Sequence, residues 1–332
     1  LRSDYKEYNL TGDLNQGKVG AILDLIRTKD MLEDGVGNVG KIQSYIDDLD
    51  SFANGIIEST NNIYAQSAKA SFSSNPLRIG LQDSLTTSGY NINEGKFDIV
   101  MYDKQGNELG KRTIKIDSQT NMQNILDQLN NNFDDNKNNN ASDDFDDRFT
   151  ANFNNDSKTL SISPKNASDE VYISIQDHGT NFAGAFGMSK FFEGSDAKDI
   201  NLTLEYRNDP TLIRGFREPV NGNFEVANMM QQLQYDNVSF SDKQGNKYSE
   251  TISGYFRLIA GRVSSQTEST KMTQENKESI YVAVKKEYKQ SSEVSVDDEL
   301  VNLIRFQSGY SANAKVISTI DEMINTLLGI KN

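Results

Sequence analysis

Val296-Asp-Asp-Glu-Leu-Val-Asn-Leu-Ile-Arg-Phe-Gln-Ser-Gly-Tyr-Ser-Ala-Asn-Ala-Lys-Val-Ile-Ser-Thr-Ile-Asp-Glu-Met-Ile-Asn-Thr-Leu-Leu-Gly-Ile330 reads as one helix with a seven-residue beat. Leu303, Tyr310, Ile317 and Ile324 fall on one seam, and Phe306, Ile320 and Leu327 fall three positions later. That spacing keeps one stripe turned toward a partner helix. The run has no proline and is rich in Ala, Leu, Ile and Met, all compatible with helix. At about 100° per residue, Ile304, Val316 and Met323 widen the stripe past half of the circumference. A helix so broadly apolar calls for neighbours on several sides, so these seven seam residues are the candidate assembly interface.

The wording of this segment resembles the C-terminus of the bacterial flagellar axial proteins, the rod, hook and hook-associated proteins that pack terminal helices into a tube. It is most similar to the hook–filament junction proteins, the hook-associated protein 1 family. The resemblance lies in Glu299, Asn302-Leu303-Ile304, Phe306-Gln307, Tyr310, Ala312, Ala314-Lys315-Val316-Ile317, Thr319 and Asp321-Glu322-Met323. An amphipathic helix alone explains the period but not the run Asn-Leu-Ile-x-Phe-Gln-x-x-Tyr. Two further passages resemble the family where its chain leaves the β domain and returns to helix: Phe191, Phe192, Gly194, Ala197, Asp199 and Ile200, then Asn208-Asp-Pro-Thr and Asn221 to Leu233. Residues 14–26 resemble the segment that opens a long helix in that family.

Working outward, Lys41 to about Gln66 carries a second heptad: Ile42, Leu49, Ile56 and Ile63 are seven apart, with Tyr45 and Phe52 three residues on. A third long helix, about Thr251 to Gln290, places Ile252, Ile259 and Ile280 beside Phe256, Val263 and Val284, with a polar centre at Gln266, Thr270, Thr273 and Lys277. The 41–66 and 251–290 helices are expected to pack antiparallel. Between them the beat stops at Ser71-Phe-Ser-Ser-Asn-Pro76, and β-type runs follow. Phe97–Tyr102 and Thr113–Ile116 read as a hairpin with Gly106 in its turn; Thr159–Ser163 and Glu170–Ile175 alternate with period two. Met122–Leu129 reads as a short helix capped by Ser118 or Thr120, and the Asn/Asp-rich stretch 130–147 as a mobile loop. The expected fold is α+β, a helical rod (antiparallel bundle or coiled coil) with an inserted β-rich domain and a C-terminal assembly helix. Its parts are residues 1–75, helical rod; 76–205, inserted β-rich domain; 206–290, returning rod; and 291–332, the tube-lining helix.

Composition narrows the function. With 34 basic and 48 acidic residues the formal net charge is −14, which argues against nucleic acid and anionic membrane surfaces. There is no cysteine, so neither disulfides nor thiolate chemistry are available, and no apolar run is long enough for a bilayer. The single histidine, His178, cannot supply a two-histidine metalloprotease motif, and no Gly-x-Ser-x-Gly elbow or phosphate-binding glycine pattern occurs. Asp143-Asp144 and Asp146-Asp147 lack EF-hand order and its closing glutamate, so a solvated acidic loop is the simpler reading than a calcium site. The pentapeptide Asp-Lys-Gln-Gly-Asn occurs at 103–107 and again at 242–246, and reads as two hairpin turns. No enzyme, cofactor or metal is expected.

The chain opens on Leu1 in mid-pattern, so an N-terminal portion with a helix that pairs with the C-terminal one is expected. The family resemblance implies an extracellular structural subunit joining hook to filament, exported through the flagellar type III apparatus without a cleaved signal peptide. Its implied partners are copies of itself in a ring, the hook protein, a second junction protein (hook-associated protein 3) and an export chaperone on the C-terminal helix. Other readings stay open: another axial protein, hook or distal rod, or a non-flagellar surface adhesin on a helical stalk.

Overall fold

Two periodicities, near 3.6 and 2, divide the chain into elements in its computed structural model, which describes residues 17–28, 39–140, 142–220, 222–243, 245–292 and 295–329. The first three residues of the helix-opening segment 14–26 lie outside these. Helices α1 (Gly17–Ile26) and α2 (Lys41–Tyr64) come first. Then follow β1 (Phe72–Ser73), β2 (Gly95–Tyr102), β3 (Glu108–Ile116), α3 (Met122–Asn130), α4 (Phe145–Arg148), β4 (Phe149–Asn154), β5 (Thr159–Pro164) and β6 (Tyr172–Asp177). After α5 (Phe182–Ala185), β7 (Phe192–Glu193), β8 (Asn201–Leu202), α6 (Leu204–Asn208) and a 3-10 turn at Pro210–Leu212, the chain forms α7 (Glu225–Gln232) and the hairpin β9 (Val238–Ser241) and β10 (Lys247–Glu250). Two long helices end it, α8 (Ile252–Ser292) and α9 (Val296–Gly329). The fold is α+β. It divides into two compact units, residues 1–263 and 264–332.

In the first unit, two three-stranded antiparallel sheets, ordered β3-β2-β6 and β1-β5-β4, share one core. Alternation on β2 sends Phe97, Ile99 and Met101 into that core, beside Ile114 and Ile116 of β3 and Ile173 and Ile175 of β6. Helix α3 covers them with Met122, Ile125 and Leu129, and Phe97 stacks on Phe182 with ring centroids 4.4 Å apart. Each such side chain contributes about 1.5–3 kcal/mol by leaving water. The opposite face of β2 is also covered, since Val100 and Tyr102 pack with Ala68 and Tyr172. The expected hairpin is present, with Gly106 at φ +87 in its turn.

Three expectations need correction. Helix α2 does not bury its heptad seam: Ile42 and Leu49 are exposed, and the buried face carries Ala53, Ile57, Glu58, Asn61 and Tyr64. Close approach decides that face. A Cβ on Gly55 would stand 2.3 Å from the Phe240 ring, and one on Gly184 would stand 2.2 Å from the Glu58 carbonyl oxygen. The cap of α3 is Asn121, whose side chain accepts from Asn124 N–H while Asn124 returns the bond, a capping box. The stretch 130–147, expected as a mobile loop with little to bury, carries buried groups among its described residues. It wraps the buried guanidinium of Arg112, which donates to Asp135, Asp146 and the carbonyls of Leu129 and Asn131. Phe145 and Phe149 anchor its far end, stacked at 5.5 Å.

Within the first unit only the opening turns of α8, as far as Arg262, meet α2, in antiparallel order. Phe52 lies 5.6 Å from Phe256, and one helical turn further Arg262 donates to both oxygens of Asp48, at 2.6 and 2.8 Å. Beyond Val263, α8 continues into the second unit, where Thr270, Thr273 and Lys277 of its polar centre are exposed and Gln266 is half-buried.

Candidate assembly site

Helix α9 contains no proline and its start is capped, although Gly309 in its interior costs about 1 kcal/mol relative to alanine. Ser295 accepts at its hydroxyl from Asp298 N–H (3.3 Å) and at its carbonyl from Glu299 N–H (3.0 Å). Asp297, Asp298 and Glu299 in the first turn complement the positive end of the helix dipole. Thr319 and Thr326 turn their hydroxyls back to the carbonyls of Lys315 and Glu322, so they need no outside partner.

No residue of α9 is buried. All seven candidate interface residues, Leu303, Phe306, Tyr310, Ile317, Ile320, Ile324 and Leu327, are exposed large apolar side chains, with Phe306 at 77% and Tyr310 at 78%. Leu300, Ile304, Val316, Met323 and Leu328 are exposed as well. Gly309 lies among Leu303, Phe306, Tyr310 and Asn313 on an open stretch of the helix surface, with nothing within 4 Å of where its Cβ would stand. A contiguous apolar surface of this extent is characteristic of an interaction site.

The remaining candidates resolve into structure. His178 Nε2 lies 3.0 Å from Asp98 Oδ2, and Thr113 donates to the other oxygen of the same carboxylate. The order is hydroxyl, carboxylate, imidazole. A nucleophilic triad needs the imidazole between the other two, so Thr113 is not activated by His178. Burial pushes the Asp98 carboxyl up, but the bonds from Thr113 and His178 and the nearby Lys111 charge outweigh it and hold it below the usual carboxylate range. Asp143 is occupied by the amides of Asn136 and Asn138, and Asp146 by Arg112. Among the described residues no group of three acidic or histidine side chains could hold a metal. The two Asp-Lys-Gln-Gly-Asn stretches, apart from Gln244, which lies outside the described residues, take the same conformation. Asp103 accepts from Asn107 N–H and its side-chain amide, Asp242 does the same for Asn246, and the glycines share φ values of +87 and +86.

Three polar positions, Arg112 and Glu58 buried and Lys69 half-buried, escaped the sequence reading. Arg112 falls on the inward phase of β3, between Gly110 and Ile114, and that misplaced charge was the available signal. Glu58 accepts from Asn54, Asn91 and Asn181, and burial holds its carboxyl above the usual range against those bonds. Lys69 donates to Ser189 O and to the Tyr206 hydroxyl under the rings of Tyr64 and Tyr206. Burial pushes its ammonium down to about 8, with Arg214 and Lys190 adding to the effect and Glu205 opposing it. Neither Glu58 nor Lys69 carries a local sequence pattern.

Residues 286–330, the last turns of α8 with α9, match the family described as flagellar basal body rod FlgEFG protein C-terminal. This helix is similar to the C-terminal segment of flagellar axial proteins. The match supports a structural flagellar axial protein, with assembly among flagellar subunits and a place in the flagellum. No curated protein matches the chain. No helix among the described residues is long and apolar enough to cross a membrane.

Proposed function

We propose that this chain is a structural subunit of the hook–filament junction and works by packing α9 against the corresponding helices of neighbouring copies. The observation that carries the reading is α9 itself: an uninterrupted helix whose whole apolar stripe is open. Covering each seam residue contributes about 1.5–3 kcal/mol, so the seam rewards assembly strongly. In this reading α9 lines a tube, residues 1–75 and 206–290 form the rod, 76–205 the outward β-rich domain, and copies close into a ring between hook protein and a second junction protein (hook-associated protein 3). Before assembly an export chaperone covers the same stripe. Extracellular placement and type III export follow from the flagellar likeness. A specific observation favours a second reading, since the matched family is named for rod and hook proteins: another station on the same axis.

Leu303→Asp or Ile317→Asp tests the assembly role. Each is expected to abolish incorporation into flagella and motility while the thermal melt of the purified chain stays within a degree or two, because these sites are exposed in the monomer. Normal incorporation of both variants would defeat the reading. Immuno-gold labelling of intact flagella separates the stations: label at the hook–filament boundary supports the junction, and label along hook or rod supports the second reading.

A further inference from the structure

We propose that edge strand β4 is a latent pairing site for β4 of a second copy of this chain, and that the side chain of Asn130 holds it closed. The inference does not depend on α9.

Strand β4 pairs with β5 on one side only, in the sheet order β1-β5-β4. Its other side is an edge, and an edge offers its N–H and C=O groups to any strand that reaches it. Along a strand these groups point alternately to either side. At Ala151 they face α3. Asn130, the last residue of α3, meets both: its Oδ1 accepts from Ala151 N–H and its Nδ2 donates to Ala151 O, each at 2.9 Å. One amide thus stands in for a neighbouring strand. Asn130 is itself exposed, so the position it fills opens to solvent once the amide is gone. The edge of β3 is closed by the same helix in the same way. Gln128 Oε1 accepts from Lys115 N–H at 2.8 Å, and its Nε2 donates to Lys115 O at 3.0 Å.

The two edges differ in what lies behind the guard. Strand β3 carries Lys111 and Lys115. Antiparallel pairing of two β3 strands about Thr113 would set Lys111 against Lys115, and pairing about Lys115 would set it against its own copy. Like charges directly opposite are unfavourable, so β3 resists itself even when open. Strand β4 reads Phe149-Thr-Ala-Asn-Phe-Asn154, without a charge or a proline, the composition of segments that pair with themselves. Antiparallel pairing about Ala151 sets Phe149 opposite Phe153 and Thr150 opposite Asn152. The strand is its own complement, and that symmetry selects a second copy as the occupant, in a two-fold contact that uses the same patch on both sides.

Asn130→Ala removes both bonds. Light scattering on the full-length variant should give about twice the wild-type mass at equal concentration. Any association through α9 is common to both chains and cancels in the comparison. Adding Thr150→Lys and Asn152→Lys sets lysine against lysine across the two-fold and should restore the wild-type mass. Gln128→Ala opens only the lysine-bearing edge and should leave the mass unchanged. Cysteines, which the chain otherwise lacks, read the register. In the Asn130→Ala background, a chain with Thr150→Cys and a second, tagged chain with Asn152→Cys should form a mixed disulfide dimer on mild oxidation, because such opposed residues lie about 4.5 Å apart at Cα. Circular dichroism checks that each variant keeps its fold. Asn130→Ser, with a side chain two atoms shorter, carries the same test if the alanine variant does not. A folded Asn130→Ala chain of wild-type mass overturns the proposal, as does failure of the two cysteines to join. So does association that the lysines do not reverse, or equal association of Gln128→Ala, since the contact would then lie elsewhere or need no self-complementary strand.

Discussion

At the scale of single residues, two buried charges set the chemistry of the first unit, and they act in opposite senses. Arg112 is nearly fully covered and bonded to two carboxylates, Asp135 and Asp146. Removing it strands both. Arg112→Ala should therefore cost about 3–5 kcal/mol in urea denaturation, and should open residues 130–147 to limited proteolysis before any other site. An unchanged midpoint would mean the carboxylates rehydrate freely. Among the described residues Glu58 forms no ion pair; three amides donate to it, and burial raises its carboxyl above its ordinary value of 4.5 against those bonds and the more distant Lys247 charge. A raised folded value means that Glu58 stabilises the fold while protonated. That contribution is complete below the unfolded value and is lost as pH rises through the folded one. Glu58→Gln keeps the shape without the charge. Its urea midpoint should gain on wild type as pH rises from about 4.5 toward 8, and a pH-independent difference would contradict this account. The Arg112 position offered a signal, a charge on the inward phase of a strand, which was missed because the expected strand began only at Thr113. Glu58 offered none, because the groups that cover it come from residues 91 and 181, far away in the chain.

At the scale of elements, the 97–116 hairpin, β5, β6 and the three long helices follow from period and turn chemistry, and α9 could be read almost residue by residue, whereas β4 and the two-residue strands β1, β7 and β8 were missed. The buried face of α2 could not be read either. Its heptad seam is real in the sequence, yet packing selected a face that mixes Ala53, Glu58 and Asn61 with Ile57 and Tyr64, because Gly55 and Gly184 admit Phe240 and the turn of α5. Periodicity records which residues are apolar, not which neighbour can come closest. The twin Asp-Lys-Gln-Gly-Asn turns offer a controlled comparison of the same kind. Gly106 and Gly245 share a left-handed backbone, so alanine at either position costs about 1 kcal/mol in strain. Only at Gly106 would the new Cβ also meet another segment, Val220 Cγ2 at 2.7 Å; at Gly245 nothing stands within 4 Å. Gly106→Ala should accordingly lower the thermal midpoint more than Gly245→Ala. Equal losses would show that Val220 moves aside without cost.

At the scale of the whole molecule, the chain joins a well-covered first unit to a second one in which none of the described residues of α8 and α9 is buried. Isolated helices gain little in water, since most helical stability comes from packing an apolar face. Ordering costs about 1–2 kcal/mol per residue in backbone entropy, and the exposed α9 has only its own hydrogen bonds and cap to set against it. The proposal of assembly-coupled folding follows: α9 should be only marginally ordered in the free chain and fully ordered once neighbours cover Leu303, Tyr310, Ile317 and Ile324. Hydrogen exchange on a verified monomer decides this. Amides from 303 to 328 should exchange within seconds, while those of β2 and α3 stay protected for hours, and the same α9 amides should slow by several orders of magnitude in assembled material. Slow exchange along α9 in the monomer would mean that the helix already has a partner inside the chain, and the stripe would then be part of a core instead of an interface.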